Sequence, residues 1–354
     1  CNGNSDDESS LVSQSNKECV RNWSEIWVKG CLEVYMRPVF KFMAVYLLAG
    51  IAMFASPAFA YSLGVAGDYN AFVFGSFNAE NSDVEGRLAA GGSVSLTSYS
   101  VGTNLSAGSS IPSLVVGGSL TYTNGQVNNG DVVVGGVAYT PGLGLNGNTL
   151  TQYASGSLPV DFNAARSYLT GLSGSLGSMT ANGTAISQYG TISLTGDGGS
   201  QLQIFNITAA DLYSASSLNI DASSIFSDAT VVINVSGDPY VSSDPNVFGN
   251  PKDVFGNMGI DISTLDPGKI LFNFTDEKNL NISGVGVMGS ILAPYADINA
   301  ERGQINGTVV ANSWTGGMEL HNVPFTGIVP IPGAALLFGS GLFGILAIVK
   351  LRRS

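Results

Sequence analysis

The chain is poor in the residues that most enzyme centres require. Among 354 residues there is one histidine, His321, and the three cysteines, Cys1, Cys19 and Cys31, all lie near the start. This composition excludes zinc sites and Cys-His nucleophiles from the rest of the chain, and a Ser-His-Asp triad would depend on His321 alone. No GxSxG elbow or Walker phosphate loop accompanies that histidine. We therefore expect His321 to be structural and the chain not to be an enzyme.

Positive charge is also scarce. Residues 61–329 contain 20 acidic and six basic side chains, which gives a net charge of −14. Nucleic-acid binding relies on basic side chains that contact phosphates, so we expect no nucleic-acid partner. The same segment has no cysteine and so needs neither disulfides nor thiol chemistry, and its acidity suits solubility outside a cell.

An apolar segment ends this polar chain. Residues 333–349 carry no charge, and as a helix they would be about 26 Å long, near the lower limit for crossing a bilayer. The cations that follow, Lys350, Arg352 and Arg353, fit the positive-inside rule for a stop-transfer end. Residues 329–354 therefore predict a C-terminal transmembrane anchor, with the main domain outside the cytoplasm.

A second apolar segment, residues 36–60, has the pattern of a secretory signal peptide. Its basic region contains Arg37 and Lys41, and its apolar region is residues 42–55. Ala58 and Ala60 form a small-x-small cleavage motif. Cleavage after Ala60 would make Tyr61 the first residue of the mature protein. Because a signal normally begins the protein, we interpret residues 1–35 as a wrongly assigned upstream extension.

Between these signals, residues 61–328 repeat short apolar runs separated by Gly, Asn, Ser and Asp. The pair Gly117-Gly118 recurs 18 residues later as Gly135-Gly136, and the run from Ser290 aligns with the run from Thr308, again 18 residues on. Such a period, with small residues at the corners, is typical of a β-solenoid whose coils stack their apolar positions. The predicted fold is mostly β, a β-helix-like solenoid.

One segment, SLPVDFNAARSYLTGLSGSL, has helical rather than strand periodicity. Ala165, Tyr168, Leu169, Leu172 and Leu176 fall on one face, and either Pro159 or Asp161 can open the first turn. We expect one α-helix here, lying along the side of the solenoid. It separates a first set of coils, about residues 82–156, from a second, about residues 186–320.

These residues resemble a known family. Two stretches are similar to the choice-of-anchor A domain of bacterial surface proteins, namely VAGDYNAFVFGSFNAENSDVEGRLAAGGSVSLTSYSVG and the closing GSILAPYADINAERGQINGTVVANSWTGGMELHNVPF. The resemblance covers essentially all of residues 61–325. The resemblance implies an exported surface protein without a well-established biochemical activity, some relatives being described as collagen-adhesin-like. The coils are also similar to the β-solenoid of bacterial ice-binding proteins.

The tail resembles a PEP-CTERM or VPLPA-type sorting signal. Its proline motif consists of Val329, Pro330, Ile331 and Pro332. The characteristic residues within its apolar segment are Ser340, Gly341 and Leu342. This resemblance implies cleavage near the prolines by an exosortase-type membrane enzyme. Ile331 departs from the Pro-Glu-Pro form, so retention as a simple membrane anchor is the alternative.

Aspartates collect in one loop-rich region near the middle of the second set of coils. They are Asp238, Asp244, Asp253, Asp261 and Asp266. Their Pro/Gly/Asn-rich surroundings favour turn formation, with Ca²⁺ binding and a carboxylate pair for glycoside chemistry as alternatives. Neither an EF-hand nor an RTX spacing is present. We expect no resident cofactor, Ca²⁺ being the one alternative.

The function predicted from these features is that of an exported, envelope-anchored, non-enzymatic surface or matrix protein, acting in adhesion or as a structural coat. Its ligand would be an extracellular protein or polysaccharide. One alternative is a carbohydrate-active enzyme on a β-helix. Another is an ice- or crystal-surface binder, which would need a flat, regular threonine array. Thr121 and Thr123 form a single Thr-x-Thr pair rather than an array, so the sequence argues against this alternative.

Overall fold

The computed structural model describes residues 59–61, 63–153, 158–237 and 254–330, all within the unit Phe59–Ser354. Of the predicted signals, Ala58, Ile331, Pro332 and the anchor residues Ser340, Gly341, Leu342, Lys350, Arg352 and Arg353 lie outside the described residues. Within the described ranges, no helix is long and apolar enough to cross a membrane.

The regular structure of the described chain consists mostly of short strands, together with two α-helices. The strands are β1 Phe59–Tyr61, β2 Ala71–Val73, β3 Phe77–Glu80, β4 Asp83–Val84, β5 Leu88–Ala90, β6 Val94–Thr97, β7 Ser100–Val101, β8 Leu114–Val116, β9 Leu120–Thr123, β10 Gly125–Val127, β11 Val132–Val134, β12 Ala138–Tyr139, β13 Leu143–Gly144, β14 Leu150–Gln152, β15 Thr184–Gln188, β16 Thr191–Thr195, β17 Leu202–Thr208, β18 Ser217–Asp221, β19 Thr230–Ser236, β20 Gly259–Asp261, β21 Ile270–Phe274, β22 Asn279–Met288, β23 Ser290–Asn306, β24 Val309–Thr315, β25 Glu319–His321 and β26 Ile328–Pro330. The helices are α1 Phe162–Gly177 and α2 Ala209–Ser214, and single 3-10 turns span Gly64–Asp68, Ala222–Ser224 and Pro267–Lys269.

Parallel pairing stacks these strands into the three faces of a solenoid. Face A contains, in stacking order, β17, β19, β21, the start of β23, the start of β24, β2, β5, β8, β11 and β14. Face B contains the first half of β22, the middle of β23, the end of β24, then β3, β6, β9 and β12. Face C contains the second half of β22, the end of β23, β25, β4, β7, β10 and β13. The predicted mostly β solenoid is thus confirmed.

The stacking order differs from the order along the chain. Val309 of β24, in the last complete coil, pairs with Ala71 of β2, in the first. The two sets of coils therefore form one stack in which the end of the chain joins the beginning. We call the contact between β24–β25 and β2–β4 the join.

The 18-residue period appears directly in the strand registers. Val132 of β11 lies opposite Leu114 of β8, and Val309 of β24 lies opposite Ile291 of β23. Other coils are longer or shorter. In the same column, the step along the chain from Ala71 to Leu88 is shorter than the 18-residue period, and the step from Leu88 to Leu114 is longer. Insertions at the corners thus change coil length without changing the stack.

Helix α1 covers face A, as the sequence predicts. Asp161 is its N-cap, and its carboxylate accepts hydrogen bonds from the backbone N–H groups of Asn163 and Ala164. The buried side chains of α1 are Ala165, Leu169, Leu172, Ser173 and Leu176. They pack on outward apolar side chains of face A such as Phe72, Val232 and Leu292. Because β2, β5, β8 and β11 are buried on both sides, these face A strands lack the alternation of faces B and C.

Two features of the fold correct or extend the prediction. The single helix expected beside the solenoid is accompanied by a second, α2, whose Thr208 N-cap and Asp211 form a capping box. Beyond β22, the stack ends in a four-stranded sheet in the order β15–β16–β18–β20, in which β15 runs antiparallel to β16. This antiparallel strand closes that end of the solenoid.

Both predicted boundaries of the exported domain meet in one small sheet. β1 pairs antiparallel with β26, so that Ala60 lies opposite Val329 and Tyr61 opposite Ile328. Cleavage after Ala60 would leave Tyr61 as the one residue of β1 in the mature chain. Val329 and Pro330 of the sorting motif lie on the partner strand.

Candidate binding face

The outer side of face B presents a ladder of polar side chains. One residue from each coil stands in the same column, in the order Asn281, Asn299, Thr315, Asn78, Ser95, Thr121 and Tyr139. A second column contains Glu80, Thr97 and Thr123. Successive coils place these groups about 4.8 Å apart along the stack. Face B therefore offers a regular grid of hydrogen-bonding groups that continues across the join.

The grid arises from strict alternation along each face B strand. In β6, Val94 and Leu96 are buried while Ser95 and Thr97 are exposed. In β9, Leu120 and Tyr122 are buried and Thr121 is exposed. Since successive side chains of a strand point to opposite sides, the apolar set fills the solenoid and the polar set faces solvent.

A shallow depression of about 540 Å³ lies on face B at the join. Its lining residues come from both ends of the chain and are Asn78, Ala79, Glu80, Asn81, Ser95, Thr97, Asn299, Glu301, Arg302, Thr315, Gly316 and Gly317. A second depression of about 450 Å³ adjoins it and is lined by Asn279, Asn281, Asp297, Ile298, Asn299, Ser313 and Thr315. Together they form a continuous polar trough.

Buried aromatic rings support the floor of the trough. Phe77 and Trp314 face each other across the join, with ring centroids 5.8 Å apart and planes 5° from parallel. Both side chains are fully buried. Gly316, with φ of 123°, passes so close to the coil beneath that a Cβ would meet the Ala300 carbonyl. A side chain at this position would therefore push the two coils apart.

Charges line the trough but do not neutralise it. Arg302 donates a hydrogen bond to the Ser283 hydroxyl at 3.1 Å. Asp297 accepts hydrogen bonds from the Asn312 amide at 2.7 Å and from the Ser313 hydroxyl at 2.6 Å. With Glu80 and Glu301 also in the lining, the carboxylates outnumber the one basic side chain, so the trough disfavours anionic ligands.

A buried asparagine holds the join together from the inside. Asn70, 4% exposed, donates hydrogen bonds to the carbonyl oxygens of Gly307 at 2.8 Å and His321 at 3.0 Å. Its side-chain oxygen accepts a hydrogen bond from the Gly86 N–H at 3.1 Å. One side chain thus connects the first two coils to the last two.

His321 lies at the join on face C, away from the trough. Its Nδ1 is 3.0 Å from Oδ1 of Asn306, and its Nε2 is 3.5 Å from a carboxylate oxygen of Glu319. Asp83 and Glu85 belong to the adjacent coil. Burial raises the pKa of Asp83, the Thr103 hydrogen bond lowers it, and the carboxylates of Glu319 and Glu85 raise it further. Among the described residues, these groups do not form a metal-binding cluster.

The predicted calcium candidates divide between turn formers and residues outside the described ranges. Asp261 accepts a hydrogen bond from the Ser263 N–H, and Asp266 caps the 3-10 turn by accepting one from Gly268. Both therefore have the turn role that their Pro/Gly/Asn-rich surroundings favour. Asp238, Asp244 and Asp253 lie outside the described residues.

The trough residues escaped sequence-based prediction. Asn299 and Thr315 are far from Asn78 and Ser95 along the chain, and only the join brings them together. The alternation in VSLT and LTYT marks the outward positions, so aligning the coils by their glycine corners would have identified part of the grid. The pairing of first and last coils has no local signal.

Comparison with known proteins yields one family and several distant structures. A family model described as "Putative Ice-binding-like adhesive domain" matches residues 62–322. No curated protein matches the chain. Among solved structures, an ice-binding protein from an Antarctic Biological Consortium shares 11% identity over 73% of this chain and 87% of its own, with a TM-score of 0.29.

Two fungal structures give similar values. An ice-binding protein from the Antarctic ascomycete Antarctomyces psychrotrophicus shares 13% identity over 74% of this chain and 99% of its own, with a TM-score of 0.29. LeIBP, an ice-binding protein from an Arctic yeast, shares 12% identity over 75% of this chain and 96% of its own, with a TM-score of 0.31. The family model covers most of the chain, and the chain therefore belongs to the "Putative Ice-binding-like adhesive domain" family.

Proposed function

We propose that the chain is an exported, non-enzymatic adhesive domain whose face B binds neutral polysaccharide. The observation that carries this proposal is the polar trough across the join, where Ser, Thr and Asn side chains stand in register over consecutive coils. Membership of an adhesive-domain family supports the same reading. The family description names an adhesive domain rather than an enzyme.

The chemistry of the trough suits a chain of sugar hydroxyls. Hydroxyl and amide side chains supply both donors and acceptors, which sugar hydroxyls need in equal measure. Each contact is weak, about 0.5–1.5 kcal/mol, but an extended polymer meets several coils at once. The carboxylates of Glu80, Glu301 and Asp297 repel anionic polymers, so the trough favours neutral polysaccharides over acidic ones.

A retention assay on insoluble polysaccharides tests this function. The full chain is mixed with particles of neutral glucan, of chitin and of an acidic polysaccharide, and the bound fraction is measured. We expect retention on a neutral polymer, weaker retention on the acidic one, and no soluble sugar released. Absence of retention on every neutral polymer contradicts the proposal, and release of sugar contradicts its non-enzymatic part.

Two matched double variants locate the binding surface. Asn299→Ala with Thr315→Ala removes two hydrogen-bonding groups from the trough. Ser100→Ala with Gln126→Ala removes a hydrogen-bonded pair of similar size from face C. We expect about tenfold weaker binding for the first, since two lost hydrogen bonds are worth about 1–3 kcal/mol, and unchanged binding for the second. Equal losses in both would exclude face B.

Ice binding is a second candidate because part of face B carries no charge. Ser95 and Thr97 of β6 lie in register with Thr121 and Thr123 of β9, and they form an uncharged grid. Ice-affinity partitioning of the full chain separates the candidates. Incorporation into ice that Thr97→Lys with Thr121→Lys abolishes would favour ice, whereas exclusion from ice together with polysaccharide retention favours the adhesive reading.

We further propose that the chain is a choice-of-anchor A-type surface protein with the export and sorting signals set out above. The motif residues Val329, Pro330, Ile331 and Pro332 would direct it to an exosortase-type enzyme, and residues 333–349 would hold it in the membrane. Intact-mass analysis of cell fractions tests this. A species from Tyr61 to the proline motif supports processing, a membrane species retaining Ser354 supports simple anchoring, and a cytoplasmic full-length species contradicts both.

A further inference from the structure

The coil at the β14 end of the solenoid has an unfinished edge. This terminal coil, residues 137–153, contains β12, β13 and β14, the last strands of faces B, C and A. Among the described residues, each of the three pairs on one side only, with β9, β10 and β11 respectively. Its outer edge therefore presents backbone N–H and C=O groups of a kind that readily add another strand.

Apolar side chains surround this edge. Val137 is 71% exposed and Tyr139 is 65% exposed. Leu143, Leu145 and Leu150 are only partly buried against the interior of the solenoid. In a coil nearer the join, the positions equivalent to Ala138 and Leu150 are Leu120 and Val132, which are fully covered. Among the described residues, no further coil covers the terminal coil in the way that each coil beneath it is covered.

The opposite end of the solenoid is closed in a different way. There β15 runs antiparallel to β16 and covers its edge. Ile186 and Tyr189 are exposed at that end, and the carboxylate of Asp211 interacts with the Ser187 hydroxyl beside them. Within the described ranges, no antiparallel strand covers the terminal coil, and residues 137–153 contain no charged side chain.

Charge indicates what covers the terminal coil. The segment 88–160 contains a single charged residue, Asp131, although residues 61–329 carry a net charge of −14. Two copies of so acidic a domain repel each other over most of their surfaces and least at this end.

We infer that the terminal coil is the interface of a head-to-head dimer, with a second copy of this chain as the occupant. A two-fold axis pairs the edge of one copy with the same edge of the other, which is the self-complementary arrangement of closed dimers. This inference rests on the terminal coil and is independent of what face B binds. A dimer would place two binding faces on one particle and raise avidity for a polymer.

Light scattering of the full chain in mild detergent tests the inference, with the detergent mass subtracted. Val137→Lys with Tyr139→Lys places two charges on the terminal coil. Ile186→Lys with Tyr189→Lys places the same charges at the closed end and serves as the matched control. We expect the mass of two chains for the unmodified protein and the control, and the mass of one chain for the terminal-coil variant.

Cross-linking gives a second readout that does not depend on charge. In a chain whose Cys1, Cys19 and Cys31 are replaced by serine, Tyr139→Cys should be linked into dimers by a long bis-maleimide, whereas Tyr189→Cys should not. Circular dichroism checks that each variant keeps its strands. A single-chain mass at every concentration overturns the inference, and so does a dimer that survives in the terminal-coil variant.

Discussion

At the residue scale, the join depends on a few buried polar side chains rather than on apolar packing alone. Asn70 connects Gly307, His321 and Gly86, and 237 positions separate it from Gly307 along the chain. A buried polar group must find such partners, because an unpaired one costs about 1–3 kcal/mol. Asn70 therefore selects the one pairing of first and last coils that satisfies all of its groups.

Replacing this residue should loosen the join. We expect Asn70→Ala to lower the free energy of unfolding by about 2–4 kcal/mol, because three hydrogen bonds are lost and the Gly307 and His321 carbonyls each lose a donor. Urea unfolding of the full chain, followed by intrinsic fluorescence, measures the change. Asn299→Ala, which alters an exposed asparagine of face B, is the control and should cost less than about 0.5 kcal/mol. Similar costs for the two variants would mean that Asn70 does not hold the join.

Acidic residues at the join on face C, in contrast to Asn70, destabilise the folded protein at neutral pH. Burial and the carboxylates of Glu319 and Glu85 raise the pKa of Asp83 in the folded protein, despite the Thr103 hydrogen bond. An acid whose pKa is raised by folding binds protons more tightly in the native state. Its contribution to stability therefore falls as the pH rises from the ordinary carboxyl pKa through the raised one.

Removing that charge should stabilise the protein at neutral pH. We expect Asp83→Asn to raise the melting temperature by about 1–2 °C at pH 7, since partly exposed charge interactions are worth less than about 1 kcal/mol. The gain should disappear as the pH falls below the ordinary carboxyl pKa, where Asp83 is neutral in both states. Calorimetry across this pH range measures the difference. A gain that grows on acidification would contradict the assignment.

At the element scale, helix α1 is held against face A by apolar contacts and by an asparagine ladder. Asn273 donates to Oδ1 of Asn234 at 2.8 Å, and Asn234 donates to Oδ1 of Asn206 at 2.9 Å. The same two amides also donate to backbone carbonyls of α1, Asn273 to Ser173 and Asn234 to Leu176. The ladder thereby satisfies carbonyl groups near the C-terminal end of the helix.

Shortening the ladder should release that end of the helix. We expect Asn273→Ala to cost about 1–3 kcal/mol and to speed amide hydrogen exchange in the last turns of α1, because the Ser173 carbonyl loses a buried donor. Asn206→Ala, at the exposed end of the ladder, is the matched control and should change exchange in α1 little. Native-state exchange with mass spectrometry measures both. Unchanged exchange in the Asn273 variant would show that apolar contacts alone hold the helix.

Element types could be predicted from the sequence, and their arrangement only in part. The 18-residue period from Gly117 to Gly135 corresponds to strand register, and the helical spacing from Ala165 to Leu176 corresponds to the buried face of α1. These signals are local, since strand and helix periodicity act over a few residues. Helix α2 is six residues long, too short for periodicity to indicate it.

At the scale of the whole molecule, the trough could not be predicted because it exists only in the assembled stack. Asn78 and Thr315 become neighbours when the last coil stacks on the first, and no short-range pattern indicates this pairing. The order of the stack also explains the position of α1 in the chain. The helix follows the first set of coils, runs along face A, and precedes the second set at the far end.

The central claim is that face B at the join is the adhesive surface. Hydrogen exchange of the full chain with and without its retained neutral polysaccharide tests this claim most directly, peptide by peptide. The account predicts that bound polymer slows exchange in β3, β6, β24 and the middle of β23, and leaves face C and the terminal coil unchanged. Protection confined to face C, or to strands away from the join, would contradict it.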